Sequence, residues 1–135
     1  MSAIVELLNK AAAGELQAAI QYVWQHVMVT GMESPELAGV LKGIAVEEMK
    51  HYEKIAERID YLGGVPTTQP DPISRSQTNA KMLEDDVRAE LDAIRLYRTI
   101  VEKAMQEKDY VTAELFEEIL TDEEDHHYKF TTLLK

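Results

Sequence analysis

Two copies of one pattern of glutamate and histidine residues are spaced so that they could bind metal ions. In each copy a glutamate is followed after 33 residues by a second glutamate, and a histidine comes three residues later. The two copies are Glu15, Glu48 and His51, and Glu90, Glu123 and His126. Glutamate and histidine at positions i and i+3 share one face of a helix, so each pair can offer two ligand atoms to one ion. We therefore expect one metal centre made of two equivalent halves.

The ligand types indicate which ions the centre would take. Four carboxylates buried together repel one another unless positive charge compensates them, and two divalent cations would neutralise all four. A set rich in oxygen, with one imidazole for each ion, suits iron or manganese better than copper or structural zinc. The sequence predicts two iron ions per chain, with manganese as the alternative.

Two long helices are predicted in the first half of the chain. The first runs from about residue 2 to residue 30, where Gly31 stops it. The second begins with Ser34 as its N-cap and Pro35 at its first helical position, and it ends at the glycine pair 63–64. These two helices form an antiparallel hairpin.

The second half of the chain predicts another pair of helices. Residues 64–77 are rich in proline, threonine, serine and aspartate and form a long connection. Thr78 or Asn79 can cap a third helix that reaches about residue 107, and Asp109 can cap a fourth from residue 110 to near residue 134. The prediction is an all-α, four-helix bundle in one domain spanning residues 1–135.

The glutamate and histidine residues interrupt the apolar stripe of each helix, so they face the core. Residues at one level of an antiparallel hairpin are equally far from its turn. The midpoint of Glu15 and Glu48 falls at residues 31–32, and the midpoint of Glu90 and Glu123 falls at residues 106–107. Both midpoints coincide with predicted turns. All six side chains can therefore meet at one level inside the bundle.

Composition excludes several other classes of protein. A formal net charge of -11 argues against direct binding of nucleic acid. The absence of cysteine excludes disulfides, thiolate metal sites and a nucleophilic thiol. No run of about 18 uncharged apolar residues is present, and the first residues do not resemble a secretion signal. We expect a cytoplasmic protein that binds no membrane.

The sequence resembles the ferritin-like superfamily, and within it the bacterioferritins most closely. Several motifs along nearly the whole chain carry the resemblance. They are Glu15-Leu16 with Gln21-Tyr22, Glu48-Met49-Lys50-His51, the segment IDYLGGVP at 59–66, Glu90-Leu91-Asp92, and ILTDEEDH at 119–126. The resemblance implies a ferritin-like four-helix bundle with a long crossover between the second and third helices.

The resemblance also implies an activity and a role for each ligand. Glu48 and Glu123 would bridge the two ions, Glu15 and His51 would complete one ion, and Glu90 and His126 the other. The implied activity is that of a ferroxidase, an iron oxidoreductase that converts Fe(II) to Fe(III) with O2 or H2O2 for iron storage, detoxification and homeostasis.

Assembly and haem binding are further expectations from the family. Cage-forming members continue into a fifth helix, whereas this chain ends nine residues after His126. The expected assembly is a homo-oligomer of at least a dimer, with dimer and cage both left open. In bacterioferritins the methionine at the position of Met49 binds a haem shared across the dimer. Haem at the dimer interface is therefore one interpretation of Met49, and an ordinary interface methionine is the other.

Four more residues are candidates to support the ligands. Tyr22 and Tyr97 each follow a terminal glutamate by seven residues, so they lie two turns along the same helix face and could hydrogen-bond a ligand or simply fill the core. Asp86 and Asp122 could orient the imidazoles through their free N–H groups.

A second Glu-x-x-His pair, Glu124 and His127, lies off the apolar stripe and is predicted to be at the surface.

Two other functions remain open on the same sequence. The first is a di-iron or di-manganese oxidase or peroxidase that forms no cage, of rubrerythrin-like or catalase-like type. The second is a haem-binding dimeric electron carrier in which the metal site matters little.

Overall fold

The computed structural model describes residues 2–135, which form four long α-helices and contain no strand. The helices are α1 (Ala3–Met28), α2 (Ser34–Tyr61), α3 (Asn79–Gln106) and α4 (Tyr110–Leu133). This arrangement confirms the predicted all-α fold. None of these helices combines the length and the apolar character needed to cross a membrane.

The predicted helix starts agree with the structure in two cases and differ in one. Thr78 caps α3 by accepting a hydrogen bond from the Lys81 N–H, and Asp109 caps α4 by accepting one from the Thr112 N–H. Ser34 is not an N-cap, because it already lies inside α2. Its N–H donates to the Gly31 carbonyl at 3.1 Å, so the turn after α1 leads directly into the helix.

The four helices pack as two hairpins, α1 with α2 and α3 with α4. The hairpins meet mainly along α1 and α3, while α2 and α4 touch less closely. Apolar side chains fill the bundle in two separate clusters, one around Leu8 and Phe116 and the other around Leu41 and Phe130. A band of buried polar residues lies between these clusters.

The crossover between α2 and α3 runs alongside α1 for most of its length. Asn9 brackets the first part of the crossover, since its side chain donates to the Val65 carbonyl and accepts from the Thr67 N–H. Farther along, the Asp71 N–H donates to the Ala13 carbonyl at 3.1 Å. The crossover thus returns the chain to the opposite end of the bundle, and α2 and α3 run parallel.

The predicted glycine pair ends α2 and lets the crossover approach α1. Gly63 adopts a φ of 89°, and the Gly64 N–H donates to the Ile59 carbonyl at 2.9 Å, which closes the last turn of α2. The turn between α3 and α4 contains no glycine. There Lys108 takes the left-handed conformation, with a φ of 61°.

Replacing Gly64 by alanine should destabilise the fold. An added Cβ would lie 2.6 Å from Val5 Cγ1 and 3.0 Å from Ile59 Cγ2, so α1 or the crossover must shift. We expect Gly64→Ala to lower the free energy of unfolding by about 1–3 kcal/mol, measured by urea denaturation. In the control Gly39→Ala the added Cβ meets no atom within 4 Å, so stability should stay equal or rise. If Gly64→Ala and Gly39→Ala are equally stable, the close approach of Gly64 to Val5 on α1 is contradicted.

Candidate metal centre

The six predicted ligand residues form one buried cluster halfway along the bundle. Glu15 comes from α1 and Glu90 from α3, while the two Glu-x-x-His pairs come from α2 and α4. None of the six is more than 4% exposed. The cluster fills the band between the two apolar clusters, so the predicted common level of these residues is present in the structure.

The cluster divides into two overlapping groups that could each hold an ion. The first contains Glu15, Glu48, His51 and Glu123, and the second contains Glu48, Glu90, Glu123 and His126. Within each group the ligand atoms all lie within 4.8 Å of one another. Glu48 and Glu123 belong to both groups, which is the arrangement expected of carboxylates that bridge two ions. That these residues bind metal stays a prediction.

Both imidazoles turn the same nitrogen towards the cluster. His51 Nδ1 lies 2.9 Å from Glu48 Oε1, and His126 Nδ1 lies 3.0 Å from Glu123 Oε1. The outer nitrogens meet carboxylates near the surface: His51 Nε2 lies 2.8 Å from Asp122 Oδ2, and His126 Nε2 lies 3.2 Å from Glu47 Oε1. An Nε2–H that donates outward leaves Nδ1 free to bind an ion.

The structure corrects one predicted supporting residue and adds another. Asp122 contacts an imidazole as expected, but Asp86 does not, because it lies on α3 facing α1 and accepts from Gln21 Nε2 at 2.9 Å. Glu47 takes the role predicted for Asp86. Its signal in the sequence is symmetry, since Glu47 directly precedes Glu48 just as Asp122 directly precedes Glu123.

The two tyrosines each hold the terminal glutamate of the other hairpin. Tyr22 on α1 donates to Glu90 Oε2 at 2.7 Å, and Tyr97 on α3 donates to Glu15 Oε2 at 2.5 Å. Burial raises the pKa of both phenols, and the adjacent carboxylates raise it further, so both stay neutral donors. Each terminal glutamate keeps its Oε1 atom without a hydrogen-bond partner.

The electrostatics of the cluster fit a pair of cations. Burial raises the pKa of Glu48 and Glu123, and the surrounding carboxylates raise it further. Buried Oε1 of Glu15 and Glu90, both oxygens of Glu123 and Nδ1 of His126 have no hydrogen-bond partner. Leaving such atoms unpaired in a protein interior is costly. Two divalent cations would satisfy these atoms and compensate their charge.

The remaining predicted residues lie outside the cluster. Met49 is on the outer side of α2 and is 45% exposed. Glu124 is exposed and lies 3.4 Å from Arg98 Nη2, in agreement with its predicted surface position. His127 is only partly buried and belongs to neither of the two groups found among residues 2–135.

Comparison with known proteins gives matches over almost the whole chain. A family model for the ferritin-like domain matches residues 5–135. The chain is 41% identical over 124 residues to the bacterioferritin of Desulfovibrio desulfuricans, an alignment that covers 91% of this chain and 69% of the relative. An X-ray structure of that bacterioferritin, which describes its diiron site in different catalytic states, matches with a TM-score of 0.91 and 39% identity, covering 97% and 77% of the two chains.

Two further solved structures are similar. A ferritin-like, diiron-carboxylate protein from Bacillus anthracis matches with a TM-score of 0.96 and 29% identity over 100% of both chains. The bacterioferritin of Rhodobacter capsulatus, with a metal-free dinuclear site and its haem iron in a crystallographic special position, matches with a TM-score of 0.88 and 31% identity, covering 97% and 82%.

The stability of the metal-free protein should fall as the pH rises. Burial alone would lower the pKa of both imidazoles, but the surrounding carboxylates raise it to about 9 for His51 and about 11 for His126, from 6.5. Protonation therefore stabilises the fold fully below pH 6.5, and this contribution is lost progressively above it.

Thermal denaturation between pH 6 and pH 9 in the presence of a chelator measures this effect. We expect the melting temperature to decrease across the range. Saturating Mn(II) should make the melting temperature less dependent on pH, because bound cations replace the protons on the two imidazoles. If the melting temperature of the metal-free protein rises with pH, the prediction that protonated His51 and His126 stabilise the fold is wrong.

Proposed function

The chain belongs to the ferritin-like family, and on that premise we propose that its buried cluster is a di-iron ferroxidase centre. The protein oxidises Fe(II) to Fe(III) with O2 or H2O2 and serves iron storage and detoxification, with the 135 residues acting as one domain. The observation that carries the proposal is the pair of overlapping ligand groups, each with three carboxylates and one imidazole and with two glutamates in common.

Iron is the proposed metal because of the donor types. Each group offers carboxylate oxygens and a single imidazole nitrogen, which favours iron or manganese over softer metals. The solved relatives with diiron sites support iron. Manganese remains the alternative, and the metal content of the purified protein separates the two.

Each residue of the site has a distinct task in the proposed mechanism. Glu48 and Glu123 would bind both ions, because both carboxylates belong to both groups. Glu15 and Glu90 would each bind one ion, since Oε1 of each is unpaired whereas a tyrosine hydroxyl donates to Oε2.

The imidazoles and the surrounding core complete the site. His51 and His126 would bind through Nδ1, because the contacts of Nε2 with Asp122 and Glu47 keep Nδ1 of each ring turned towards the cluster. The apolar clusters above and below exclude bulk water, which strengthens the electrostatic interactions within the site. When bound, the iron pair supplies two electrons, which is sufficient to reduce O2 to H2O2 or H2O2 to water.

Replacing Glu48 should abolish Fe(II) oxidation, because this carboxylate is shared by both ions. The wild-type chain should bind two Fe(II) ions and oxidise both after O2 is added. The oxidation is measured in a stopped-flow instrument by the increase in ferric absorbance. Glu48→Ala should bind fewer than two ions and show no fast oxidation phase. Glu124→Ala, which removes an exposed carboxylate next to the site, should behave as the wild type. Wild-type oxidation rates in Glu48→Ala would exclude the proposed centre.

We propose that the protein is a homo-oligomer of at least a dimer, in which two chains meet through their α1–α2 hairpins. Helix α1 exposes Ile20 and Val23, and α2 exposes Val46 and Met49, all apolar side chains that are about half exposed in the single chain. Burying such side chains against a second copy would be favourable. The R. capsulatus bacterioferritin structure contains haem iron, which supports the proposal that Met49 binds a haem at this interface.

Light scattering and haem titration test the assembly. The chain mass is 15.3 kDa, so a dimer has twice and a 24-subunit cage 24 times that value. We expect at least a dimer, and added haem should give a Soret band in the wild type that Met49→Leu lacks. A monomer would contradict the proposed assembly. If the protein is a dimer and Met49→Leu does not change the Soret band, Met49 is an ordinary interface residue. If the protein is a dimer that holds only two irons per chain, the proposed storage function is wrong, whereas the proposed oxidation of Fe(II) is not affected.

A further inference from the structure

The chain carries the same set of ligand residues twice, at an offset of 75 residues. Glu15 and His51 define one ion position, which we call the Glu15 position, and Glu90 and His126 define the other, the Glu90 position. Each terminal glutamate accepts from a tyrosine of the opposite hairpin and keeps its Oε1 unpaired. Because the ligands and their tyrosines are equivalent, a difference between the two positions must come from the residues around them.

Three buried polar residues join α1 to α3 next to Glu90. Asp86 on α3 and Gln21 and Gln25 on α1 are all 0% exposed, and we call them the Gln–Asp cluster. Gln21 Nε2 donates to Asp86 Oδ1 at 2.9 Å, and the Ser74 N–H of the crossover donates to Gln21 Oε1 at 2.9 Å. The amide of Gln21 is therefore bound at both ends, and it holds the Asp86 carboxyl against α1.

The residues that correspond to the Gln–Asp cluster at the offset of 75 are apolar. They are Ala11, Leu96 and Ile100. All three pack with Tyr97 in one of the two apolar clusters of the core. The Glu15 position therefore has an alanine where the Glu90 position has the carboxyl of Asp86, and the internal symmetry of the centre is broken there.

The Asp86 carboxyl lies close to the Glu90 position. Asp86 precedes Glu90 by four residues on α3, so the two side chains are neighbours on one helix face, about 5–6 Å apart at Cβ. Burial raises the pKa of Tyr22, and Glu90 and then Asp86 raise it further. The pKa of Tyr97 is raised instead by burial and by glutamates of the centre. The charge of Asp86 therefore acts on the half of the centre that contains Glu90.

No cation compensates the Asp86 carboxyl. None of the ion pairs among residues 2–135 includes it, and its Oδ2 atom is buried without a hydrogen-bond partner. Titratable groups face it from both helices, Tyr22 from α1 and Asp85 and Glu90 from α3. Burial raises the pKa of Asp86 from 3.8 to about 8; the amides of the Gln–Asp cluster lower it, and the two carboxylates raise it. A divalent cation nearby would favour the ionised form.

We propose that the buried carboxyl of Asp86 makes the two ion positions unequal, so that the Glu90 position binds a divalent cation more tightly and fills first. The inference rests on the proposed function, since it requires the cluster to bind metal. Asp86 belongs to neither ligand group, so it acts through its charge and not as a ligand. Two ligand sets of the same residue types thus differ in affinity.

Equilibrium titration of the metal-free protein with Co(II) compares the two positions, because the d–d absorption reports ions bound to the ligands. Removing one imidazole leaves one complete position: His51→Ala keeps the Glu90 position, and His126→Ala keeps the Glu15 position. At pH 8 the Co(II) dissociation constant should be about tenfold lower in His51→Ala than in His126→Ala, because an added negative charge in the interior attracts the cation. This comparison leaves Asp86 itself unchanged.

Asp86→Asn removes the charge and keeps the size of the side chain and an oxygen that can accept from Gln21. Combined with His51→Ala, it should raise the dissociation constant by about tenfold at pH 8, and combined with His126→Ala it should change that constant by less than about twofold. The loss should be smaller at pH 6, because the Asp86 carboxyl, with a pKa of about 8, is neutral there in the metal-free protein. A purely structural effect of the substitution would be the same at both pH values.

Asp85→Asn is the matched control, because it removes the same charge one residue away. Asp85 is only partly buried, and it accepts from the Ser76 hydroxyl of the crossover. We expect Asp85→Asn to leave the affinity of both positions unchanged. If it weakens the Glu90 position as much as Asp86→Asn does, net charge and not the buried carboxyl causes the difference, and the inference is overturned.

The remaining outcomes separate the inference from the proposed function. If the wild type binds no Co(II), the proposed function fails. If the wild type binds Co(II) but His51→Ala and His126→Ala have equal affinities, the inference is wrong while the centre stands. The inference is also overturned if Asp86→Asn weakens both positions equally or if its effect does not change with pH.

Two fallback measurements cover variants that fail. If circular dichroism shows that Asp86→Asn does not fold, the comparison of the two histidine variants decides the question. If the histidine variants bind no Co(II), the two successive dissociation constants are measured in the chain with both histidines. Asp86→Asn should then bring these two constants closer together, and an unchanged separation would overturn the inference.

Discussion

The burial of four carboxylates at one level of the bundle is the constraint on which the rest of this structure depends. Apolar side chains cannot surround such a group without compensation, because an unpaired charge in a protein interior is costly. The chain responds with two imidazoles inside the cluster and tyrosine hydroxyls on the terminal glutamates. The apolar core is consequently divided into two clusters that lie on either side of the charged level.

The site could be predicted from the sequence largely because helical geometry is regular. The spacing of Glu15 and Glu48 about Gly31 defines a level in an antiparallel hairpin, and the same arithmetic applies to Glu90 and Glu123. Side-chain contacts across the bundle were harder to predict. Asp86 and Glu47 are both acidic residues close to a ligand, and periodicity along one helix does not specify which neighbouring helix each of them faces.

The same limit explains the differences in the fold. Standard capping rules predicted the roles of Thr78 and Asp109, since a capping side chain bonds within its own first turn. The start of α2 depends on the conformation of the turn after Gly31, where the Ser34 N–H donates to the Gly31 carbonyl. The prediction that Ser34 is the N-cap is wrong for that reason.

Every terminal ligand is held in place by a residue of the other hairpin. Tyr97 holds Glu15 and Asp122 holds His51, while Tyr22 and Glu47 do the same for the second half. Each of the two ligand groups also includes one glutamate from the opposite hairpin, Glu123 in the first group and Glu48 in the second. Metal bound at the proposed centre would therefore be released when the hairpins separate, and its binding free energy would stabilise the association of the two hairpins.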